Sequence, residues 1–128
     1  MTTESTVNKI KELLKIKAIN KPNPTNGEEA ITIKETRMGK SYNVSIGIGK
    51  IVAINPRYFE TQGYVWNEQF NHYEDGNIKI EPKTILTMKG VSYITAVFPN
   101  GLIRKVDEAK WDNKLKTLED LIAILETV

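Results

Sequence analysis

The run YNVSIGIGKIVAIN, residues 42–55, limits what this chain can fold into more than any other. Tyr42, Val44, Ile46 and Ile48 alternate with Asn43, Ser45, Gly47 and Gly49, and a period of two is the signature of a strand. One face of that strand is apolar; the other carries almost no side-chain volume. Glycine inside a strand marks a bulge, a sharp bend, or close approach by backbone or ligand. Past Lys50 the alternation slips, because Ile51, Val52, Ala53 and Ile54 are all apolar. The pattern predicts a long strand that bends at its glycines, as strands do at the corners of small barrels. A ligand-admitting groove along the glycine face is the alternative.

Period two extends across residues 30–106. AITIKETR places Ile31 and Ile33 on one face and Thr32, Lys34 and Thr36 on the other, a half-buried strand. MGKS is a turn, NPRYFETQGY is irregular, and YVW is a short strand. NHYEDGN carries an Asp75–Gly76 turn signal. NIKIEPKTILTMK resumes strand character, with Pro82 at an edge or bulge. GVSYITAVF and LIRKV then read as a hairpin turned at Pro99, Asn100 and Gly101.

Helical spacing appears at the two ends. Val7, Ile10, Leu14 and Ala18 form a stripe among Lys9, Lys11, Lys15 and Lys17, with Ser5 or Thr6 as cap. The lysines are expected to be a solvated face. Asp107 can cap a short helix, DEAKWDNKL, that carries Trp111. Thr117 and Asp120 suggest a capping box for a last helix, with Leu118, Leu121, Ile122 and Leu125 on one face. The predicted class is α+β: an N-terminal helix, a five- to six-stranded, mostly antiparallel curled sheet or small barrel, and C-terminal helices. Residues 1–19 are expected to be an amphipathic helix or arm, 20–29 a linker loop, and 30–128 a single domain.

A chain of 128 residues can bury a sufficient core without staples. It has no cysteine, so thiolate metal sites and thiol nucleophiles are excluded. No apolar run nears the ~20 residues of a membrane span, and the start lacks the order of a secretory signal; the expectation is a soluble, cytoplasmic protein that does not engage membranes. Net charge is +2, with fifteen lysines and three arginines, Arg37, Arg57 and Arg104. That balance disfavours specific nucleic-acid readout.

Gly39, Lys40 and Ser41 end like a phosphate loop but lack its first glycine and its helix. Gly47 and Gly49 open no helix, so no dinucleotide fingerprint is present. His72, the single histidine, with Glu68, Glu74 and Asp75, makes at best a weak metal set. No cofactor and no catalytic constellation is expected.

Residues 58–73, YFETQGYVWNEQFNHY, hold six of the ten aromatics. The acids Glu60, Glu68, Glu74 and Asp75 stand among them, with only Arg57 nearby, which opposes stacking on a polyanion. Tyrosine and tryptophan interleaved with asparagine and glutamine is the chemistry of protein-binding surfaces. Phe59, Trp66 and Phe70 are expected to point inward; Tyr58, Tyr64, His72 and Tyr73 are placed nearer the surface. The expected function is a small accessory or inhibitory binding protein, of the kind phages and mobile elements carry. Arg57, Tyr58, Tyr64, Trp66, His72 and Tyr73 would contact a protein partner or a second copy. The alternative is a binder of a nucleotide or single-stranded nucleic acid, using Asn43, Gly47, Gly49, Lys50 and Arg104.

Overall fold

The computed structural model describes residues 2–98 and 101–128. In chain order come α1 (Thr3–Lys17), β1 (Ile19–Asn20), β2 (Glu29–Met38), β3 (Ser41–Ile54), β4 (Phe59–Asn67), β5 (His72–Ile80), α2 (Pro82–Thr87), β6 (Val91–Phe98), α3 (Leu102–Trp111) and α4 (Leu118–Thr127). The fold is α+β. Six strands form one open antiparallel sheet in the order β1-β6-β2-β3-β4-β5.

A row of glycines makes the sheet curl. Gly49, Gly63 and Gly76 are register partners across β3, β4 and β5. A Cβ on Gly49 would stand 2.0 Å from the Gln62 carbonyl oxygen, and one on Gly63 2.2 Å from that of Ile48. Only a residue without a side chain lets the two backbones approach so closely. One strand further on, Ile78 fills the space beside Gly47, where a Cβ would meet its Cδ1 at 2.9 Å. Side chains from distant strands therefore meet inside the curl. The Thr32 and Thr61 hydroxyls lie 3.3 Å apart across β3, and the Phe59 and Tyr93 rings are 6.0 Å apart with two strands between them. In a flat sheet, three strand spacings of about 4.8 Å would separate those last two. The run of apolar residues after Lys50 is explained by a register shift between Ile51 and Ala53.

The curl gives the sheet two cores. Its inner face buries Ala30, Ile51, Phe59, Val65, Ile78, Ile80 and Val97 against Ile85 of α2. Its other face buries Ile31, Ile33, Val44, Ile46, Ile48 and Trp66 under α1, α3 and α4. Each large aliphatic side chain fully buried there contributes roughly 2 kcal/mol relative to exposure.

Helix α1, expected as an amphipathic helix or arm, is a helix whose Val7 and Ile10 are fully buried in this core, and it packs on α4. Its cap is Thr2, whose hydroxyl accepts from the Ser5 N–H. Two of its lysines are not merely solvated. Lys11 pairs with the buried carboxylate of Glu35. Lys17 Nζ donates to the carbonyls of Leu125 (2.9 Å) and Glu126 (2.7 Å), closing the C-terminal end of α4. The capping box forms, with Thr117 and Asp120 bonded reciprocally, and Ile124 rather than Ile122 joins Leu118, Leu121 and Leu125 in the buried set of that helix.

Five local readings are corrected. Residues 59–63, read as irregular, belong to β4. β2 is buried on both faces over Ala30, Ile31, Thr32 and Ile33, because it lies in the middle of the sheet. Asp75 and Gly76 lie within β5, and the hairpin turns instead at residues 68–71, where Asn71 takes φ 54°. KTILT is helical, with Pro82 where a helix tolerates it. LIRKV opens a helix rather than a second hairpin strand: Leu102 and Val106 are buried at i, i+4 spacing, and Asp107 lies inside α3. Pro99 and Asn100 of that expected hairpin turn lie outside the described residues. Among the described residues no helix is long and apolar enough to cross a membrane.

Candidate protein-docking site

The β3–β4 connection is a rigid turn. Asn55 Oδ1 accepts from the N–H groups of Arg57 (2.8 Å) and Tyr58 (3.0 Å), and the Asn55 N–H donates to the Tyr58 carbonyl (2.9 Å). An asparagine followed by proline is built for such a turn, since the side chain mimics backbone and Pro56 presets φ. The turn therefore holds Arg57 and Tyr58 out beside Ile54, the last residue of β3, which is 47% exposed.

Helix α2 supplies the facing wall. Ile85 is buried in the inner core, which turns its neighbour Leu86 outward at 83% exposure. Between turn and helix lies a cleft of about 270 Å³, floored by Phe59 and lined by Pro24, Ile54, Pro56, Tyr58, Pro82 and Leu86. Arg57 and Lys83 are its charged lining residues. The Lys79 ammonium stands 3.9 Å from the centre of the Tyr58 ring, an attraction to the ring face that also fixes the tyrosine.

Of the residues expected to meet a partner, the structure brings only Arg57 and Tyr58 into this cleft. Trp66 is buried in the core under the helices. Tyr64 donates to Asp107 Oδ1 at 2.6 Å, and Tyr73 donates to the Thr117 carbonyl at 3.0 Å, so both tie the sheet to the helical layer. Burial, then the bond to Asp107, pushes the Tyr64 hydroxyl up to about 12. His72 is exposed between the Phe70 carbonyl and Glu74 Oε1, both at 2.8 Å, and these two partners raise its pKa. Phe70, expected inward, is 54% exposed in the hairpin turn with its ring edge-on to His72. Among the described residues no three histidine or acidic side chains gather as a metal-binding group.

The second set is also divided. Gly47 and Gly49 are buried, and the space over them is taken by Ile78 and by β4 backbone, so no groove runs along the glycine face. Asn43 lies exposed toward the other end of β3. Lys50 and Arg104 do come together, in a cleft of about 980 Å³ with Ile19, Glu28 and Glu29. Glu29 is committed there: its carboxylate accepts from the N–H groups of Gly101 (3.0 Å) and Ile103 (3.2 Å) at the start of α3. An adjoining cleft of about 510 Å³ shares Lys50 and Arg104 and adds Asp107, Glu108 and Trp111, the last 89% exposed. Carboxylates outnumber cations along this joined surface, and Arg104 already holds Glu108 at 3.2 Å.

Sequence reasoning passed over Ile54, Leu86 and Lys83. The one local signal was surplus apolarity: Ile54 is left over by the slipped alternation, and Leu86 doubles Ile85 on a helix of six residues. No protein-family model, curated protein or solved structure matches the chain.

Proposed function

We propose that this chain is an accessory binding protein that seats a protein partner in the cleft between the β3–β4 turn and α2. The observation that carries the reading is the shared exposure of Ile54 and Leu86 on one concave surface, beside Tyr58 and Arg57. Isolated exposed apolar residues need no explanation, but a concave apolar patch rimmed by polar groups is the form of an interaction site. Tyrosine and arginine are among the residues that dominate binding energy at interfaces. The turn is hydrogen-bonded in place and the cleft walls carry three prolines, so little ordering cost remains to oppose association.

The test is capture by the tagged protein from its own cells, comparing wild type with an Ile54→Asp, Leu86→Asp variant. Both positions are exposed, so the melting temperature should stay within about 2 °C of wild type. A stoichiometric partner retained by wild type and lost by the variant is the expected result. Equal capture by both proteins would overturn the reading.

An anionic ligand at Lys50 and Arg104 is the weaker reading. It gains from the two cations meeting in one cleft and loses to the carboxylates of Glu28, Glu29, Asp107 and Glu108 around them.

A further inference from the structure

The chemistry of the docking cleft specifies its occupant. We infer that the partner is a protein segment that inserts one or two large apolar side chains between Ile54 and Leu86 and flanks them with aspartate or glutamate. This inference rests on the docking reading above.

Three observations support it. The first is charge. Arg37 and Arg104 each hold a carboxylate, whereas among the described residues Arg57 and Lys83 have no salt-bridge partner. Lys79, which does not line the cleft, stands against the ring of Tyr58, which does. The carboxylates nearest in sequence, Glu60 and Glu81, accept from the Asn77 amide and the Thr84 hydroxyl and keep their charge, but neither lines the cleft. Unpaired cations around an apolar floor attract carboxylates and repel a basic segment.

Size is the second. At about 270 Å³ the cleft sits at the lower edge of small-molecule sites, which begin near 300 Å³. It suits side chains projecting from a larger body that stays outside.

The third is backbone chemistry. Pro24, Pro56 and Pro82 line the cleft and have no N–H to donate. Three prolines leave few main-chain donors for a partner that docks by adding a strand, and beside the Asn23 and Asn55 amides the lining side chains are apolar, aromatic or cationic.

The probe is a phage-displayed library of random twelve-residue peptides, selected on the immobilised wild-type chain at low salt. Enriched peptides are then synthesised and titrated against wild type, Leu86→Asp, and the charge-reversed Arg57→Glu, Lys83→Glu protein. The turn is bonded through the backbone N–H of Arg57, and its side chain forms no hydrogen bond or salt bridge among the described residues, so the reversal should leave the fold intact; matching melting curves check this. The expected peptides carry leucine, isoleucine, phenylalanine or tryptophan beside two or more acids. They should lose about tenfold or more in affinity on charge reversal, and as much on raising salt, because rim charges are screened. Binding should vanish with Leu86→Asp. Peptides that depend on Leu86 but carry neutral or basic flanks, or that ignore the charge reversal, would overturn the acidic-partner inference and leave the docking reading standing. Peptides indifferent to Leu86→Asp, or no enrichment at all, would overturn both.

Discussion

Replacing Gly49 by alanine should unfold much of what the curl makes possible. The new methyl would lie 2.0 Å from the Gln62 carbonyl oxygen, 2.6 Å from its carbon and 3.0 Å from Gly63 Cα. All three are backbone atoms of β4, so no flexible side chain can yield. β3 and β4 must separate by more than 1 Å, which breaks register where the inner core closes. Overpacking of this kind costs about 3 kcal/mol, the upper end of the usual range, because the clash is with backbone. Unfolding entropy of about 2.1 cal/mol/K per residue over 128 residues gives roughly 0.27 kcal/mol/K, so the melting temperature should fall by about 11 °C.

The control is Gly76→Ala, in the same row of the sheet. Its nearest neighbour would be Val65 Cγ2 at 3.5 Å, an ordinary contact. Strand preference alone favours alanine over glycine by about 0.5–1 kcal/mol at either position, so Gly76→Ala should be neutral or slightly stabilising. Thermal melts followed by far-ultraviolet circular dichroism would separate the two. Equal melting temperatures for both variants would refute the close backbone approach as the origin of the curl.

Two further outcomes follow from the helical layer. Lys17→Met keeps the aliphatic stem but removes the donor to the Leu125 and Glu126 carbonyls; it should cost about 1–2 kcal/mol in chemical denaturation and speed amide exchange in the last turn of α4. Lys11→Met leaves Glu35, buried, with only Tyr42 (2.7 Å) and Arg37 (3.3 Å). Burial alone would raise the Glu35 pKa, but Lys11 and Tyr42 outweigh it and hold it below the usual carboxylate value. The stability from that depression is therefore present above the unfolded carboxylate pKa and lost as pH falls through the folded one. Lys11→Met should consequently destabilise by about 2–3 kcal/mol at pH 7 and by clearly less once pH has fallen through the folded Glu35 pKa, where a protonated Glu35 no longer needs the ammonium. A penalty independent of pH would show that Lys11 acts through packing alone.

Much of the fold was written in local patterns, and the failures share a physical origin. The glycines of residues 42–55 announced the bend because only missing side chains permit it. The stripes of α1 and α4 were legible because each helix buries one face. The Asp75–Gly76 signal misled because both residues pair with β4 inside β5, Gly76 opposite Gly63, a pairing that no local window contains. LIRKV carries its apolar residues at 102, 103 and 106, a helical spacing that the turn signal of Pro99, Asn100 and Gly101 obscured, and the burial of Leu102 and Val106 follows that spacing. The aromatic segment looked like one surface but is a hairpin whose two faces enter different cores: Phe59 and Val65 inward, Trp66 toward the helices. Its tyrosines Tyr64 and Tyr73 are fasteners. The cleft beside α2 was half legible, in Arg57 and Tyr58. Its other half, Leu86, arrives from about thirty residues along the chain, through a helix the sequence reads as a strand.

The most direct test of the docking surface is photo-cross-linking from a benzoylphenylalanine placed at position 86, in cells that make the protein. Position 16 is the control, since Ile16 on α1 is 78% exposed but lines no cleft described above. One discrete adduct from position 86, absent from position 16 and suppressed by Arg57→Glu, is the predicted result. The same adducts from both positions, or none from position 86, would contradict it.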